Sequence, residues 1–156
     1  MTELTAVQGE SSDCELLSFR VGEQEYSVDI MSVREIRGWT RPTPLPHSAD
    51  YVRGVINLRG TVLPIVDLSR RLGIPVGEAS ERNVIIVAHI RHQAVGLLVD
   101  AVSDILAIPE SDMQPPPEMA ADSERGFVQS LTIVDGRMLR ILDLEAVLPD
   151  QAETAA

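Results

Sequence analysis

One segment of this chain is written twice. "INLRGTVLPIVDLSRRL" (Ile56 to Leu72) and "TIVDGRMLRILDLEAVL" (Thr132 to Leu148) align without a gap at an offset of 76 positions. Gly60 falls on Gly136, Leu63 on Leu139, Ile65 on Ile141, Asp67 on Asp143, Leu68 on Leu144 and Leu72 on Leu148. Each copy reads as two apolar strands around a tight turn, then an aspartate placed to cap a short helix. An arginine, Arg59, stands at the first turn, where the second copy has Asp135.

The rest of the chain fits a duplicated β-unit. "CELLSFRVGEQEYSVDI" alternates around Gly-Glu, with Leu17, Phe19 and Val21 then Tyr26, Val28 and Ile30 on one face, and reads as a hairpin. "MSVREI" has Met31, Val33 and Ile36 at helical spacing and is expected to be helical. "RPTPLP" predicts an extended connection, because each proline fixes its own φ and restricts its predecessor. Gly73 is placed to end the first helix as a C-cap. "GIPVGEASE" has linker composition. "NVIIVAHIRHQAVGLLVDAVSDIL" opens the second half with another hairpin, and its "VDAVS" matches "VDIMS" of the first half at an offset of 71. A long loop with four prolines, "PESDMQPPPEMAADSERG", precedes the last hairpin and helix.

Each half therefore reads as hairpin, connection, hairpin, short helix. Closing such a sheet into a barrel removes its edges, and two small barrels packed together bury more than either does alone. The expected fold is mainly β, with two packed five-stranded barrels at about 14–75 and 83–149. Gly60 should superpose on Gly136 and Asp67 on Asp143. Residues 1–13 and 150–156 are small and polar and are expected to be disordered tails.

A formal net charge of −11 and only five aromatic residues argue against a nucleic-acid partner, which needs a basic footprint or a stacking platform. The one cysteine, Cys14, permits no internal disulfide and fits a reducing compartment. The N-terminal segment has no basic start and no apolar run of the secretory kind, and "NVIIVAHI" is too short to span a bilayer. A cytoplasmic protein is expected. No catalytic set emerges. Asp29, Asp67, Asp100 and Asp143 end strands and read as caps or turn residues. His47, His89 and His92 lack the further ligands of a metal site, and Cys14, Ser69 and Ser103 sit in no nucleophile pattern. No cofactor is expected, which leaves a binding protein.

The blocks "EIRG", "YVRGVINLRGTVLPIVDL", "VGLLVDAVSDIL" and "GRMLRILDLEAVL", in this order and spacing, resemble the CheW family of bacterial chemotaxis coupling proteins. The resemblance runs from about Glu15 to Leu148. It implies two SH3-like five-stranded barrels and a non-catalytic adaptor, which joins the cytoplasmic tips of chemoreceptors to the histidine kinase CheA in membrane-associated arrays. The receptor-binding surface it implies is Val33, Glu35, Ile36, Gly54, Leu58, Arg59 and Val84. The kinase-binding face it implies is Leu17, Ile30 and Val33, with a second kinase contact at Glu118 and Met119. Opposite charge on one such surface predicts that Arg59 pairs with Glu35. Three other readings remain open: a coupling protein of a pathway controlling pili, biofilm or gene expression; an oligonucleotide-binding barrel; and a small enzyme of unknown type.

Overall fold

Strand-forming hairpins dominate the computed structural model, which describes residues 13–74, 82–116 and 126–148. The strands are β1 (Asp13–Val21), β2 (Gln24–Asp29), β3 (Val33–Gly38), β4 (Val52–Leu58), β5 (Thr61–Asp67), β6 (Val84–Ile90), β7 (Gln93–Val99), β8 (Ala101–Pro109), β9 (Val128–Val134) and β10 (Arg137–Leu142). Two short helices follow hairpins, α1 (Leu68–Leu72) and α2 (Leu144–Val147), and single 3-10 turns lie at Ile30–Ser32 and Glu110–Asp112. The described residues form two five-stranded sheets, ordered β9-β10-β2-β1-β8 and β3-β6-β7-β5-β4. Each is closed by one bridge beyond its last strand. Thr43 pairs with Val55 through N–O distances of 2.8 and 2.9 Å, and Gln114 pairs with Leu131 through 2.8 and 2.7 Å.

The division between the barrels is not the division between the repeats. The expected subdomains at 14–75 and 83–149 follow the sequence copies, but β3 to β7 build one barrel from residues 33–99. The other barrel is split and takes β1 and β2 together with β8 to β10. The cause is a pair of parallel contacts: β5 of the first copy adds to β7, and β10 of the second copy adds to β2. Each barrel thus borrows a hairpin from the other half. The tails expected at 1–13 and 150–156 lie outside the described residues, except Asp13, which opens β1.

The duplicated hairpins share their register in detail. In the first, Val52 pairs with Val66, a bulge follows, Gly54 pairs with Ile65, and Leu58 with Thr61. In the second, Val128 pairs with Leu142, a bulge follows, Ser130 pairs with Ile141, and Val134 with Arg137. Arg59 and Asp135 both have φ 52°, and Gly60 and Gly136 have φ 88° and 78°. Two consecutive positive φ values make the tight turn whose twist suits a hairpin. Asp67 and Asp143 then cap α1 and α2 through the same bond, to the N–H two residues on. Gly73 ends α1 in the left-handed conformation, as expected.

Two expectations need correction. The segment "MSVREI" is not a helix. After one 3-10 turn it becomes β3, because pairing with β6 satisfies its backbone along Val33 to Gly38. The "VDIMS" and "VDAVS" match at offset 71 is also not a structural equivalence. The bulge at Val33/Glu35 opposite Ala88/Val87 recurs at Val102/Asp104 opposite Phe19/Ser18, an offset of 69. The matched aspartates accordingly do different work: Asp29 accepts from Met31 N–H, and Asp100 from Gly22 N–H.

Burial explains why two barrels are needed. Among the described residues, the interior of the inserted barrel holds six buried apolar residues, Ile56, Leu63 and Ile85 among them. The split barrel holds four: Leu16, Ile108, Leu139 and Ile141. The joint core between them holds twenty, from Leu17 and Phe19 on one side to Ile86 and Leu97 on the other. A fully buried aliphatic or aromatic side chain contributes roughly 1.5–3 kcal/mol, so most of the burial free energy comes from packing the barrels together. Arg71 fastens the same junction. Its guanidinium donates to the carbonyls of Ala146 (3.1 Å), Val147 (3.2 Å) and Leu148 (3.3 Å) at the end of α2. It also lies 4.1 Å over the Tyr51 ring and 5.0 Å from the Phe127 ring centre.

Candidate functional site

The residues assigned to receptor binding gather on and around β3. This strand alternates: Val33, Glu35 and Arg37 are half-buried, while Arg34, Ile36 and Gly38 are exposed. Glu35 is held from two sides. Arg37 Nη1 donates to its Oε2 at 3.2 Å, and Arg59 Nη2 donates to its Oε1. The expected Arg59–Glu35 pair is therefore present. It ties the turn after β4 to β3, the two strands at opposite ends of the sheet order, so it reinforces the closure made by Thr43 and Val55. The turn itself is set by Asn57 Oδ1, which accepts from Gly60 N–H at 2.9 Å. The bond from Arg59, then that from Arg37, holds the Glu35 carboxyl below the usual glutamate range. The same pairing raises the Arg59 guanidinium.

The other assigned residues are placed less uniformly. Ile36 is 47% exposed and, as the neighbour of Glu35 on a strand, points to the opposite face. Leu58 is half-buried and packs on the interior of the inserted barrel. Val84 opens β6 opposite Gly38, and Val33 pairs with Ala88 near the other end of β3. Five residues of strand separate those two places, roughly 17 Å. Both valines are half-buried against the joint core. Gly54 is buried, and its contribution is to the backbone: with φ 140°, an added Cβ would lie 2.2 Å from the Thr43 carbonyl oxygen. It allows the closing bridge and has no side chain to offer a partner.

The face expected to bind a kinase loses a member. Leu17 is only 2% exposed and belongs to the joint core, so it cannot touch a partner directly. The physical reason is that β1 is covered on both faces: Leu16 enters the split barrel while Leu17 enters the junction. Ile30 is half-buried beside Met31, which is 86% exposed. Glu118 and Met119 lie outside the described residues.

Two residues of this region were missed by the sequence reading. Arg37 holds Glu35 from the side opposite Arg59. Its signal was the spacing of two, visible once the segment is taken as a strand. Trp39 packs with Leu58 against the inserted barrel, and nothing in its local pattern marked it.

No reaction chemistry collects here. Among the described residues no group of three or more His, Cys, Asp or Glu is placed to hold a metal ion. The Cys14 thiol is pushed up, first by burial and then by Glu110, Asp29 and Asp13, which is the opposite of an activated nucleophile. No helix among the described residues is long and apolar enough to cross a membrane. What the geometry provides is a rigid surface with one clamped carboxylate at a barrel edge.

Comparison with known proteins places this architecture. The family model described as "CheW-like domain" matches residues 15–152. The chain is 55% identical over 142 residues to the chemotaxis protein CheW of Rhizobium meliloti (strain 1021), covering 91% of this chain and 92% of that one. It is 33% identical to the chemotaxis protein CheW of Klebsiella aerogenes, covering 97% and 91%. Among solved structures, the scaffolding protein TtCheW from Thermoanaerobacter tengcongensis superposes with a TM-score of 0.82 at 31% identity, covering 88% of this chain and 94% of that one. A shared fold alone would leave the family open, but sequence and structure agree along nearly the whole length, and the chain belongs to the CheW-like family.

Proposed function

We propose that the chain is a non-catalytic coupling protein that links the cytoplasmic tips of chemoreceptors to the histidine kinase CheA in signalling arrays. Support comes from relatives named as chemotaxis proteins and from a structural neighbour described as a scaffolding protein. The observation that carries the reading is the Arg59–Glu35 clamp, which fixes the tip of one hairpin against β3 in the region that the resemblance assigns to receptors. The receptor site is Glu35, Ile36, Leu58 and Arg59, with Val33 and Val84 at its margins and Gly54 beneath it. An amphipathic receptor helix is a suitable occupant of such a surface. The kinase face is Ile30 and Val33 beside Met31, with Glu118 and Met119 as the second kinase contact. Because the barrels share one core, the two faces keep a fixed separation, and an adaptor of this kind works by geometry without a chemical step. It acts in the cytoplasm and reaches the membrane through its partners.

The test is a pair of binding measurements, with a receptor cytoplasmic fragment and with the kinase regulatory domain. Arg59→Ala should lose receptor binding and keep kinase binding. Ile30→Asp should do the reverse. Two variants that stay folded and bind both partners like the parent would overturn the proposal.

A further inference from the structure

The faces of the two barrels that meet in the joint core do not cover each other completely. On the split barrel, Leu131 stands opposite Arg140 and Ile133 opposite Met138, so the four share one face of β9 and β10. That face is turned to the junction: Leu131 packs on the joint core, and Arg140 is in register with the core residue Tyr26, its guanidinium 5.8 Å from the ring centre. Yet Ile133 is 59% and Met138 43% exposed. On the inserted barrel, Ile36 and Gly38 stand opposite Ile86 and Val84, which pack in the same core, and Ile36 also stays exposed.

These two uncovered patches lie on one margin of the junction. β1 packs over β7, and the 3-10 turn that ends β2 packs on β6. β10 lies outside β2 and β3 lies outside β6, so β10 and β3 fall on the same side. They also meet at the same end. Asp100 N–H donates to the Arg20 carbonyl at 3.0 Å, Gly22 N–H donates to Asp100 Oδ2 at 2.7 Å, and Asn83 Nδ2 donates to the Val99 carbonyl at 3.0 Å. These bonds tie the tip of the β1–β2 hairpin, beside Met138, to the start of β6, beside Gly38. Ile133 and Met138 therefore face Ile36 across a groove between the barrels. From Met138 a cleft of about 510 Å³ continues among Arg20, Arg137, Arg140, Glu23 and Glu25, a positive formal charge in a chain of net charge −11.

We infer that Ile133, Met138 and Arg140 form a second wall of the receptor site, and that this wall selects a helix carrying a carboxylate beside its apolar ridge. The inference rests on the receptor reading of Ile36 and Arg59 and adds the barrel that reading left out. An amphipathic helix lays its apolar ridge into a groove of this kind, and Met138 is a contact that adapts its shape. The arginines supply the complementary charge, and a guanidinium bonds a carboxylate through two donors. The duplicate hairpin provides the contrast. At the other margin of the junction the positions of Ile133, Arg137, Met138 and Arg140 hold Asn57, Thr61, Val62 and Pro64, so the apolar and basic character is combined on one margin only.

The experiment follows the methionine methyl groups of the full chain by NMR during titration with a receptor cytoplasmic fragment, and measures the affinity of variants for the same fragment. The Met138 methyl should shift, while the Met31 methyl, beside the proposed kinase face, should not. Met138→Asp should weaken receptor binding about tenfold or more. Arg140→Gln should weaken it less and flatten its salt dependence, because one charge leaves the contact. Ile105→Asp, at the counterpart of Ile36 on the other margin, should leave it unchanged. Parental unfolding midpoints in the three variants separate a lost contact from a lost fold. A fragment that binds the parent without shifting Met138, or binds Met138→Asp as tightly, overturns the second wall and leaves the receptor reading standing. Unchanged affinity and salt dependence in Arg140→Gln overturns the selection for a carboxylate. A fragment that does not bind the parent overturns both the wall and the reading it rests on.

Discussion

The hairpin at 52–67 and the hairpin at 128–142 share a backbone and differ in their charges. Register, bulge, turn and cap coincide at an offset of 76. Yet four arginines of the first unit, Arg53, Arg59, Arg70 and Arg71, face Gln129, Asp135, Ala146 and Val147 in the second. The difference separates two kinds of requirement. A few positions, such as the turn glycine, the capping aspartate and the inward Leu and Ile, are enough to specify the shape. The arginines then give each copy a distinct use: Arg53 fills a carboxylate site, Arg59 closes a barrel edge, and Arg71 locks one unit onto the end of the other.

The sharpest way to break the parallel is at the bulge. Gly54→Ala places a Cβ against the Thr43 carbonyl at a strained φ, and should cost about 3 kcal/mol in a denaturation curve. Ser130→Ala at the matching position should change stability by less than about 1 kcal/mol. Next comes the lock. Arg71→Ala removes three carbonyl bonds and two ring contacts and should cost about 2–3 kcal/mol, measured by urea unfolding. Arg71→Lys should recover only part of that, because an ammonium cannot reach three carbonyls and stack at once. Making the first copy resemble the second, Arg53→Gln should cost about 1–2 kcal/mol by taking the nearer cation from the buried Asp67.

The smallest effect on folding belongs to Arg59, at the centre of the proposed receptor site. Arg59 occupies a positive-φ turn position that favours Asn, Asp or Gly, and its partner Asp135 is of that kind. Arg59→Asn should leave the unfolding midpoint nearly unchanged, since the pair it loses is exposed, while receptor binding should be lost. The Glu35 titration reports the same event. Its folded value lies below the ordinary 4.5, so its contribution to stability is present above that value and is lost as pH falls through the lowered one. In Arg59→Asn the Glu35 carboxyl should titrate at higher pH, but not fully at the ordinary value, because Arg37 remains. An unchanged Glu35 titration would remove Arg59 from the clamp.

How far the sequence could be read follows from the range of each interaction. Hairpins, turns, the two aspartate caps and the Gly73 cap are local and were legible. So was the pair between Arg59 and Glu35, once the family resemblance placed both on one surface. The partition into barrels was not legible, because it depends on the parallel contacts of β5 with β7 and of β10 with β2, and no local pattern encodes which distant hairpin a strand will join. The segment "MSVREI" was misread for a related reason: its apolar spacing fits a helix, and only the partner β6 makes it a strand. Leu17 was assigned to a contact face through the family resemblance, and no local pattern shows that β1 is covered on both faces. In β1, residues 16 to 19 are all buried.

The interleaving of the barrels also has a consequence for synthesis. The inserted barrel has all five strands once Val99 has been made, whereas β1 and β2, made first, wait for β10 to end at Leu142. At about 5–20 residues per second, the interval between Val99 and Leu142 lasts roughly 2–9 s. During it one barrel can close while the split barrel is incomplete, and the opening hairpin has only β8 to pair with. A nascent chain stalled or cut between those two points would therefore carry one complete barrel with an open flank, the state in which this protein is most exposed to chaperones, proteases and other copies of itself.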